Sequence, residues 1–179
     1  YDIFASESGL LHCLRRVSHK GPTKVQPDLF DHLALDLEQS RTGPAWFIRD
    51  CRVIHRFSRI GKNYRSLTEA SRLSMLLLKN LIHTESFGPV YKLYRDALDS
   101  WERGSPANAV TFKVLFRYAR IEGYPVKEEW LRQLPDGDRA AAVSILSSPL
   151  NELDGDPPEI AHLVSRLREW ISSSTDILI

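Results

Sequence analysis

The chain has 179 residues, 42% of them hydrophobic and 26% charged, a composition that is typical of a globular protein and excludes a disordered one. No apolar run approaches the length of a membrane span, and no signal-peptide pattern is present. The two cysteines, Cys13 and Cys51, have no Cys-x-x-Cys partner, so neither a disulfide framework nor a zinc site is expected. A reducing cytoplasm is the predicted compartment.

The net charge of +1 hides a segregation of charge along the chain. Residues 1–40 carry 4 basic and 6 acidic side chains, residues 41–120 carry 15 and 6, and residues 121–179 carry 5 and 11. The net charges of the three parts are therefore −2, +9 and −6. A basic middle of this kind indicates a polyanionic partner.

The first part of the chain is predicted to form short strands separated by turns. Strand patterns lie at residues 2–5, 10–17, 29–38 and 45–57. In the third, Leu33, Leu35 and Leu37 alternate with polar or small residues, which predicts a half-buried strand. In the fourth, the same period of two places one set of side chains on the inner side: Phe47, Cys51, Val53 and Phe57. Several short strands of this kind favour a small antiparallel barrel or sandwich.

From Ser66 onward the hydrophobic period is that of a helix. Ser66 and Glu69 fit a capping box, and apolar residues from Leu67 to Leu81 then recur on one helical face. Further helices are predicted at about 90–103, 108–122, 127–134 and 139–146, and from Pro158 onward. The helix at 108–122 is apolar nearly all round, with its polar surface restricted to Lys113, Arg117 and Arg120, which predicts the centre of a bundle.

Together these patterns predict an α+β protein with a β domain at residues 1–60 and a helical domain at residues 61–179. Nothing in the sequence indicates catalysis: no phosphate-binding glycine loop and no Gly-x-Ser-x-Gly elbow is present. The six histidines show no metal-binding spacing: His12, His19, His32, His55, His83 and His162. The acids Asp154, Asp156 and Glu159 lie among Pro and Gly and predict a solvated turn. No enzyme activity, metal or cofactor is expected.

The most basic segment, residues 49–65 (RDCRVIHRFSRIGKNYR), joins the two predicted domains. It contains one acid, Asp50, against a run of cations: Arg49, Arg52, Arg56, Arg59, Lys62 and Arg65. The first hairpin and the loop after it add Arg15, Arg16, Lys20 and Lys24. These side chains are the predicted phosphate contacts of a nucleic-acid-binding site, and the alternative is a solvated joint with scattered arginines.

Aromatic residues are interleaved with these cations at Trp46, Phe47, Phe57 and Tyr64. Single strands bind in cationic grooves where bases stack on aromatic side chains. Core packing is the expected role of Phe47 and Phe57, whereas Tyr64, near Gly61 and Lys62, is the predicted exposed platform.

A groove among the helices is a third candidate site. Leu, Phe and Trp faces, together with Lys79, Arg95 and Arg117, could receive a short peptide with acidic and apolar residues. The alternative is that these faces simply pack on one another.

Several short motifs share their order with a known family. They are residues 4–11 (FASESGLL), 25–27 (VQP), 57–65 leading into Leu67, 90–98 (VYKLYRDAL), 112–116 (FKVLF) and 123–125 (GYP). In this order the chain resembles RecO, the bacterial DNA repair and recombination mediator. The resemblance covers most of the chain.

The resemblance implies an N-terminal OB-fold, a C-terminal helical domain and a protein of the bacterial cytoplasm associated with the nucleoid. It also implies binding of single-stranded and duplex DNA, strand annealing or recombinase loading, and partnership with a RecR-like protein and single-stranded-DNA-binding protein. Many members carry a four-cysteine zinc module after the Gly-Tyr-Pro element, but this chain has no cysteine after Cys51, so no metal is expected. The family's first barrel strand is expected to precede Tyr1. The alternative function is a non-catalytic helical protein-interaction adaptor without DNA affinity, with the β part as a platform.

Overall fold

The structure of the chain is a computed structural model that describes residues 1–16, 26–153 and 158–179. It divides into two compact units, Tyr1–Phe57 (the β unit) and Ser58–Ile179 (the helical unit). The described strands belong to the first unit and the six described α-helices belong to the second, which makes the protein α+β. No helix among these residues is long and apolar enough to cross a membrane.

The β unit contains one four-stranded sheet in the order β1-β2-β4-β3. Its strands are β1 (Asp2–Ala5), β2 (Gly9–Leu14), β3 (His32–Gln39) and β4 (Trp46–His55). β1 pairs antiparallel with β2, and β3 pairs antiparallel with β4, but β2 and β4 are parallel. The sheet is therefore mixed and not wholly antiparallel as predicted, because β3 lies at the far edge and β4 returns between it and β2. No closed barrel is formed by the described strands.

One side of this sheet carries the hydrophobic core of the β unit. Cys13, Ile48 and Cys51 are buried there. Partly buried side chains from all four strands pack against them: Ile3, Leu11, Leu33, Leu35, Leu37 and Trp46. The predicted alternation of Leu33, Leu35 and Leu37 is thus confirmed, since side chains two residues apart lie on the same face of a strand.

A bulge in β4 changes which of its residues face this core. Leu37 pairs with Ile48 and Asp36 pairs with Asp50, so Arg49 has no partner across the ladder. One extra residue shifts the alternation by one position. Ile48 is therefore buried, and Phe47 is 40% exposed on the opposite side. The prediction that Phe47 packs in the core is wrong, although Cys51, Val53 and Phe57 are buried or half-buried as expected.

The helical unit is built from helices that follow the predicted order. They are α1 (Tyr64–Asn80), α2 (Phe87–Arg103), α3 (Ala107–Ile121), α4 (Val126–Glu129), α5 (Asp136–Ser147) and α6 (Pro158–Ser174). Short 3-10 turns lie at Ile60–Lys62, Leu81–His83, Leu131–Gln133 and Leu150–Glu152. Pro89 lies in the first turn of α2, where a missing N–H costs no intrahelical hydrogen bond.

Helix α3 is the centre of the helical unit, as its composition predicts. Its apolar side chains are buried almost throughout, and the rings of Phe112 and Phe116 lie 5.9 and 6.5 Å from the ring of Trp130. Arg117 and Arg120 are exposed as expected, but Lys113 is buried. The Lys113 ammonium donates a hydrogen bond to the carbonyl oxygen of Ser148, which explains how α3 accommodates a cation in the core.

The N-terminus of α1 is capped by Asn63, so the predicted capping box at Ser66 and Glu69 is wrong. The Asn63 side chain accepts a hydrogen bond of 3.1 Å from the backbone N–H of Ser66. Ser66 is therefore the third helical residue, and Glu69 is buried in the helix interior. The observed cap, Asn63, lies about one helical turn before the predicted cap, Ser66. Asn and Ser are equally favoured at the N-cap position.

Replacing Asn63 and Ser66 in turn tests which of the two residues caps α1. Asn63→Ala removes the acceptor for an N-terminal N–H group and is expected to lower the free energy of unfolding by about 1 kcal/mol. Ser66→Ala is expected to change it by less than about 0.5 kcal/mol, because Ala has a better helix propensity than Ser. Urea unfolding followed by circular dichroism at the helix band measures both, and a larger loss for Ser66→Ala would contradict the assigned cap.

Candidate nucleic-acid interface

All six cations of the basic segment, residues 49–65, are exposed, and they are divided between the two units. Arg49, Arg52 and Arg56 lie in or just after β4 of the β unit, and Arg59, Lys62 and Arg65 lie in the helical unit. At the end of β2, Arg16 is exposed and Arg15 is half-buried. Lys20 and Lys24 lie outside the described residues, as do His19, Asp154 and Asp156.

Two of the sheet's arginines are bonded within the β unit. Arg49, the bulge residue, forms an ion pair with Glu38 on β3. Arg56 donates to both carboxylate oxygens of Asp31, at 3.1 and 2.8 Å, and to the carbonyl oxygen of Gln26, at 3.1 Å. The hydrogen bonds to Asp31 raise the pKa of Arg56, and the negative charge of Asp31 adds to the increase. Arg56 therefore holds the segment before β3 against the end of β4, which is a structural role.

Arg16, Arg41 and Arg52 are the exposed arginines of the β unit that form no ion pair with another described residue. Arg52 lies opposite Ala34 in the ladder, on the side of the sheet away from the core. Arg15 is half-buried, and its positive charge opposes the increase in the Cys51 pKa that burial causes.

We call the side of the sheet away from the core the outer face. Leu14 on β2 and Phe47 on β4 are neighbours in the parallel ladder, and Leu14 is 43% exposed. Glu38 on β3 faces Phe47 across the antiparallel ladder, and further along the strands this face carries Asp36, Asp50 and Arg52. Its apolar and basic part is therefore centred on the end of β2 and the start of β4, and its acids lie on and beside β3.

A second basic cluster surrounds the start of α1 in the helical unit. The backbone N–H groups of Arg59 and Ile60 donate to one carboxylate oxygen of Glu102, at 2.9 and 3.3 Å. This contact fixes the turn before α1 on helix α2. Tyr64, the first residue of α1, is 82% exposed between the exposed residues Lys62 and Arg65, in agreement with its predicted exposure.

The helical unit contains a cavity of about 500 Å³ next to a buried carboxylate. Apolar side chains line most of it, including Leu73, Leu76, Trp101, Val114 and Leu115. Polar side chains at its wall are Glu69, Arg72, Lys79, Thr111 and Arg168. The volume lies within the range of small-ligand sites.

Glu69 links three helices at the wall of this cavity. One of its carboxylate oxygens accepts from Thr111 on α3 at 3.0 Å and from Arg168 on α6 at 2.6 Å. The other accepts from Arg72, one turn along α1, at 2.7 Å. The side chain of Glu69 is only 8% exposed, so these bonds replace the water that a buried carboxylate loses.

The three predicted peptide-binding cations do not line one groove. Lys79 lines the cavity and donates to the carbonyl oxygen of Ile179 at 3.0 Å. Arg117 lines a separate hollow of about 430 Å³ with Arg120 and Lys92. Arg95 is exposed on α2 and lines neither. Sequence reasoning missed Glu69 and Arg168, although a glutamate on the apolar face of α1 was the available signal.

The C-terminal end of α3 holds buried polar groups outside both candidate interfaces. Burial raises the pKa of Glu122, the charge of Glu85 adds to this increase, and a hydrogen bond from Thr84 at 3.2 Å opposes it. Burial also raises the pKa of Tyr118. No cluster of His, Cys, Asp and Glu side chains that could hold a metal ion occurs in residues 1–16, 26–153 and 158–179.

Comparison of the sequence with protein families and with curated proteins found no match. The assignment of this interface therefore depends on its geometry and charges. The resemblance to RecO stays a prediction.

Removing Glu69 tests whether its contacts stabilise the helical unit. Glu69→Ala leaves the partly buried guanidinium of Arg168 without its carboxylate, so we expect the free energy of unfolding to fall by about 3 kcal/mol. Arg72→Ala is the matched control: Arg72 is 59% exposed, and the expected loss is below about 1 kcal/mol. Equal losses for the two variants, measured by urea unfolding, would contradict the assigned role of Glu69.

The raised pKa of Glu122 predicts a pH dependence of stability. The folded state binds the Glu122 proton more tightly than the unfolded state, so the stability associated with this proton is lost as the pH rises through the folded pKa. Glu122→Gln is therefore expected to stabilise the protein at pH 7, with a gain that disappears below pH values near the unfolded pKa of about 4.3. Glu85→Gln is expected to give a smaller gain in the same direction. A constant difference between Glu122→Gln and the unmodified chain from pH 4 to pH 8 would contradict this account.

Proposed function

We propose that this chain binds single-stranded and duplex DNA and promotes strand annealing or recombinase loading in recombinational repair. The observation that carries the proposal is the exposed apolar and basic part of the outer face, at the end of β2 and the start of β4. The resemblance to RecO supports it, and implies a RecR-like protein and single-stranded-DNA-binding protein as partners. In this proposal the protein is not an enzyme and uses no metal or cofactor.

The topology of the sheet supports the finer proposal that the β unit is part of an OB-like barrel. An OB-fold is a five-stranded, partly open Greek-key barrel. The order β1-β2-β4-β3, with one parallel pair between two antiparallel pairs, corresponds to four consecutive strands of such a barrel. A fifth strand would have to join the edges of β1 and β3, and the described residues do not contain it. OB-folds bind oligonucleotides across one side of the barrel.

The charges favour a defined path for the phosphate backbone. Arg16, Arg41 and Arg52 are the exposed arginines of the β unit whose guanidinium groups make no ion pair with described residues. Asp36 on β3 and Asp50 opposite it on β4 repel a polyanion, so the backbone would cross the end of β2 and the start of β4 and avoid this acidic pair. The cluster at Lys62, Tyr64 and Arg65 supplies a second binding segment in the helical unit. Such contacts position DNA and add little base specificity.

The second candidate function is a peptide-binding adaptor, and the cavity of about 500 Å³ in the helical unit is the observation that favours it. Apolar side chains would fit among Leu73, Leu76 and Trp101, and acidic side chains would face Arg72 and Lys79. A synthetic peptide rich in Asp and Phe that binds the chain, and loses affinity on Lys79→Glu, would support this function. If the same chain lacks DNA affinity, the adaptor replaces the DNA-binding proposal.

Charge reversal at Arg52 tests the DNA-binding proposal. We expect Arg52→Glu to weaken binding to a labelled single-stranded oligonucleotide roughly tenfold, because a hydrogen bond to a charged group is worth about 1.5 kcal/mol or more. The slope of log affinity against log salt should fall by about 0.7 for each phosphate contact that is lost. Fluorescence anisotropy across a salt series measures both quantities.

Arg132→Glu is the matched control because it makes the same change in net charge on an exposed turn of the helical unit. It is expected to leave the salt slope unchanged. If Arg52→Glu and Arg132→Glu weaken binding equally, net charge and not a defined interface governs it. If the unmodified chain shows no salt-dependent binding, the proposal is wrong.

A further inference from the structure

Phe47 differs from every other phenylalanine of the chain in its exposure. The chain has seven phenylalanines, all within the described residues. Phe57, Phe112 and Phe116 are buried, and the others are half-buried, whereas Phe47 is 40% exposed. An aromatic ring on the surface of a sheet therefore requires an explanation in terms of either packing or binding.

The bulge at Arg49 is the direct cause of this exposure. Without the extra residue, the alternation of β4 would place Phe47 on the same side as Cys51 and Val53. With it, Phe47 lies on the outer face beside Leu14, whose strand is about 4.8 Å away across the parallel ladder. Bulges are frequent next to functional sites, where they redirect a side chain.

The surroundings of Phe47 combine an apolar surface with an exposed cation. Leu14 extends the apolar surface on one side. On the other side Glu38 faces Phe47 across the ladder, and the ion pair with Arg49 balances its charge. Arg16, two residues after Leu14, is exposed. A planar ring with a guanidinium group nearby is the combination that binds a nucleobase and its phosphate in single-stranded nucleic acids.

We propose that Phe47 is a stacking platform for one base of single-stranded DNA, so that the outer face distinguishes single strands from duplex. This inference rests on the proposed DNA-binding function and names the strand type that the face prefers. The bases of a duplex are stacked on each other and cannot cover the ring, whereas a single strand can turn a base onto it. Stacking accepts every base, so no sequence preference is expected from Phe47.

The test compares single-strand and duplex affinity in full-length variants. Phe47→Leu keeps an apolar side chain but removes the aromatic face, and we expect it to weaken binding to an oligo(dT) single strand about 5- to 100-fold. Its affinity for a duplex of the same length should be unchanged. The salt slope should also be unchanged, because no phosphate contact is lost. Phe47→Trp is expected to retain single-strand affinity.

Ile54→Ala is the matched control, since Ile54 is another exposed apolar residue of β4, 53% exposed, without an aromatic ring. It should leave both affinities unchanged. If the unmodified chain binds DNA with a salt dependence and Phe47→Leu binds single strands equally well, the stacking role is wrong and DNA binding stands. If the unmodified chain binds neither strand type, both the stacking role and the proposed function are wrong.

A second measurement uses the unmodified chain and does not depend on the folding of any variant. Ultraviolet irradiation of the chain with oligo(dT) crosslinks stacked aromatic side chains to thymine, and mass spectrometry locates the modified peptide. A crosslink at Phe47 is the expected result. Crosslinks found at Tyr64 and not at Phe47 would overturn the inference and assign the stacking role to the start of α1.

Discussion

The bulge at Arg49 determines which side chains at the start of β4 face the core and which face outward. Side chains of a strand alternate between two sides of the sheet. One inserted residue moves each residue before it to the opposite side. In β4 this exchange buries Ile48, exposes Phe47 and brings Arg49 to Glu38. Phe47 thereby extends the apolar surface that Leu14 on β2 already provides on the outer face. The core keeps Cys51 and Val53, so the exposure of Phe47 does not remove the packing of the later half of the strand.

The ion pairs of the two units show why the number of arginines is a poor measure of a binding face. Arg49 and Arg56 are bonded to Glu38 and Asp31, so their charges are largely balanced locally. In the helical unit, Arg72 and Arg168 compensate the buried carboxylate of Glu69. These four arginines face three carboxylates, so they add only one net positive charge to the two units. Under the proposed DNA-binding function, the phosphate contacts therefore fall to the remaining exposed cations.

Regular periodicity made much of the fold predictable. Apolar side chains recur regularly at Leu33, Leu35 and Leu37 and along the apolar faces of α1 and α3. Because each pattern repeats over several residues or turns, one local irregularity does not hide it. Single-residue events were not predictable. A bulge leaves no signature in composition, and the Asn63 cap lies only one turn before an equally plausible Ser66. The network at Glu69 joins residues far apart in sequence, so no local pattern reveals it. The exposure of Tyr64 could be predicted, whereas that of Phe47 could not, because the direction of the Phe47 side chain depends on the bulge.

The most direct test of the central claim is nuclear magnetic resonance of the labelled full-length chain, titrated with an oligo(dT) single strand. We expect the amide signals of residues 10–16 and 46–52 to shift together with the added strand, since these residues contain the apolar and basic part of the outer face. Signals of β3 should change less, because its acids repel phosphate. Shifts confined to residues around the helical cavity, or no shifts at a stoichiometric amount of DNA, would contradict the account.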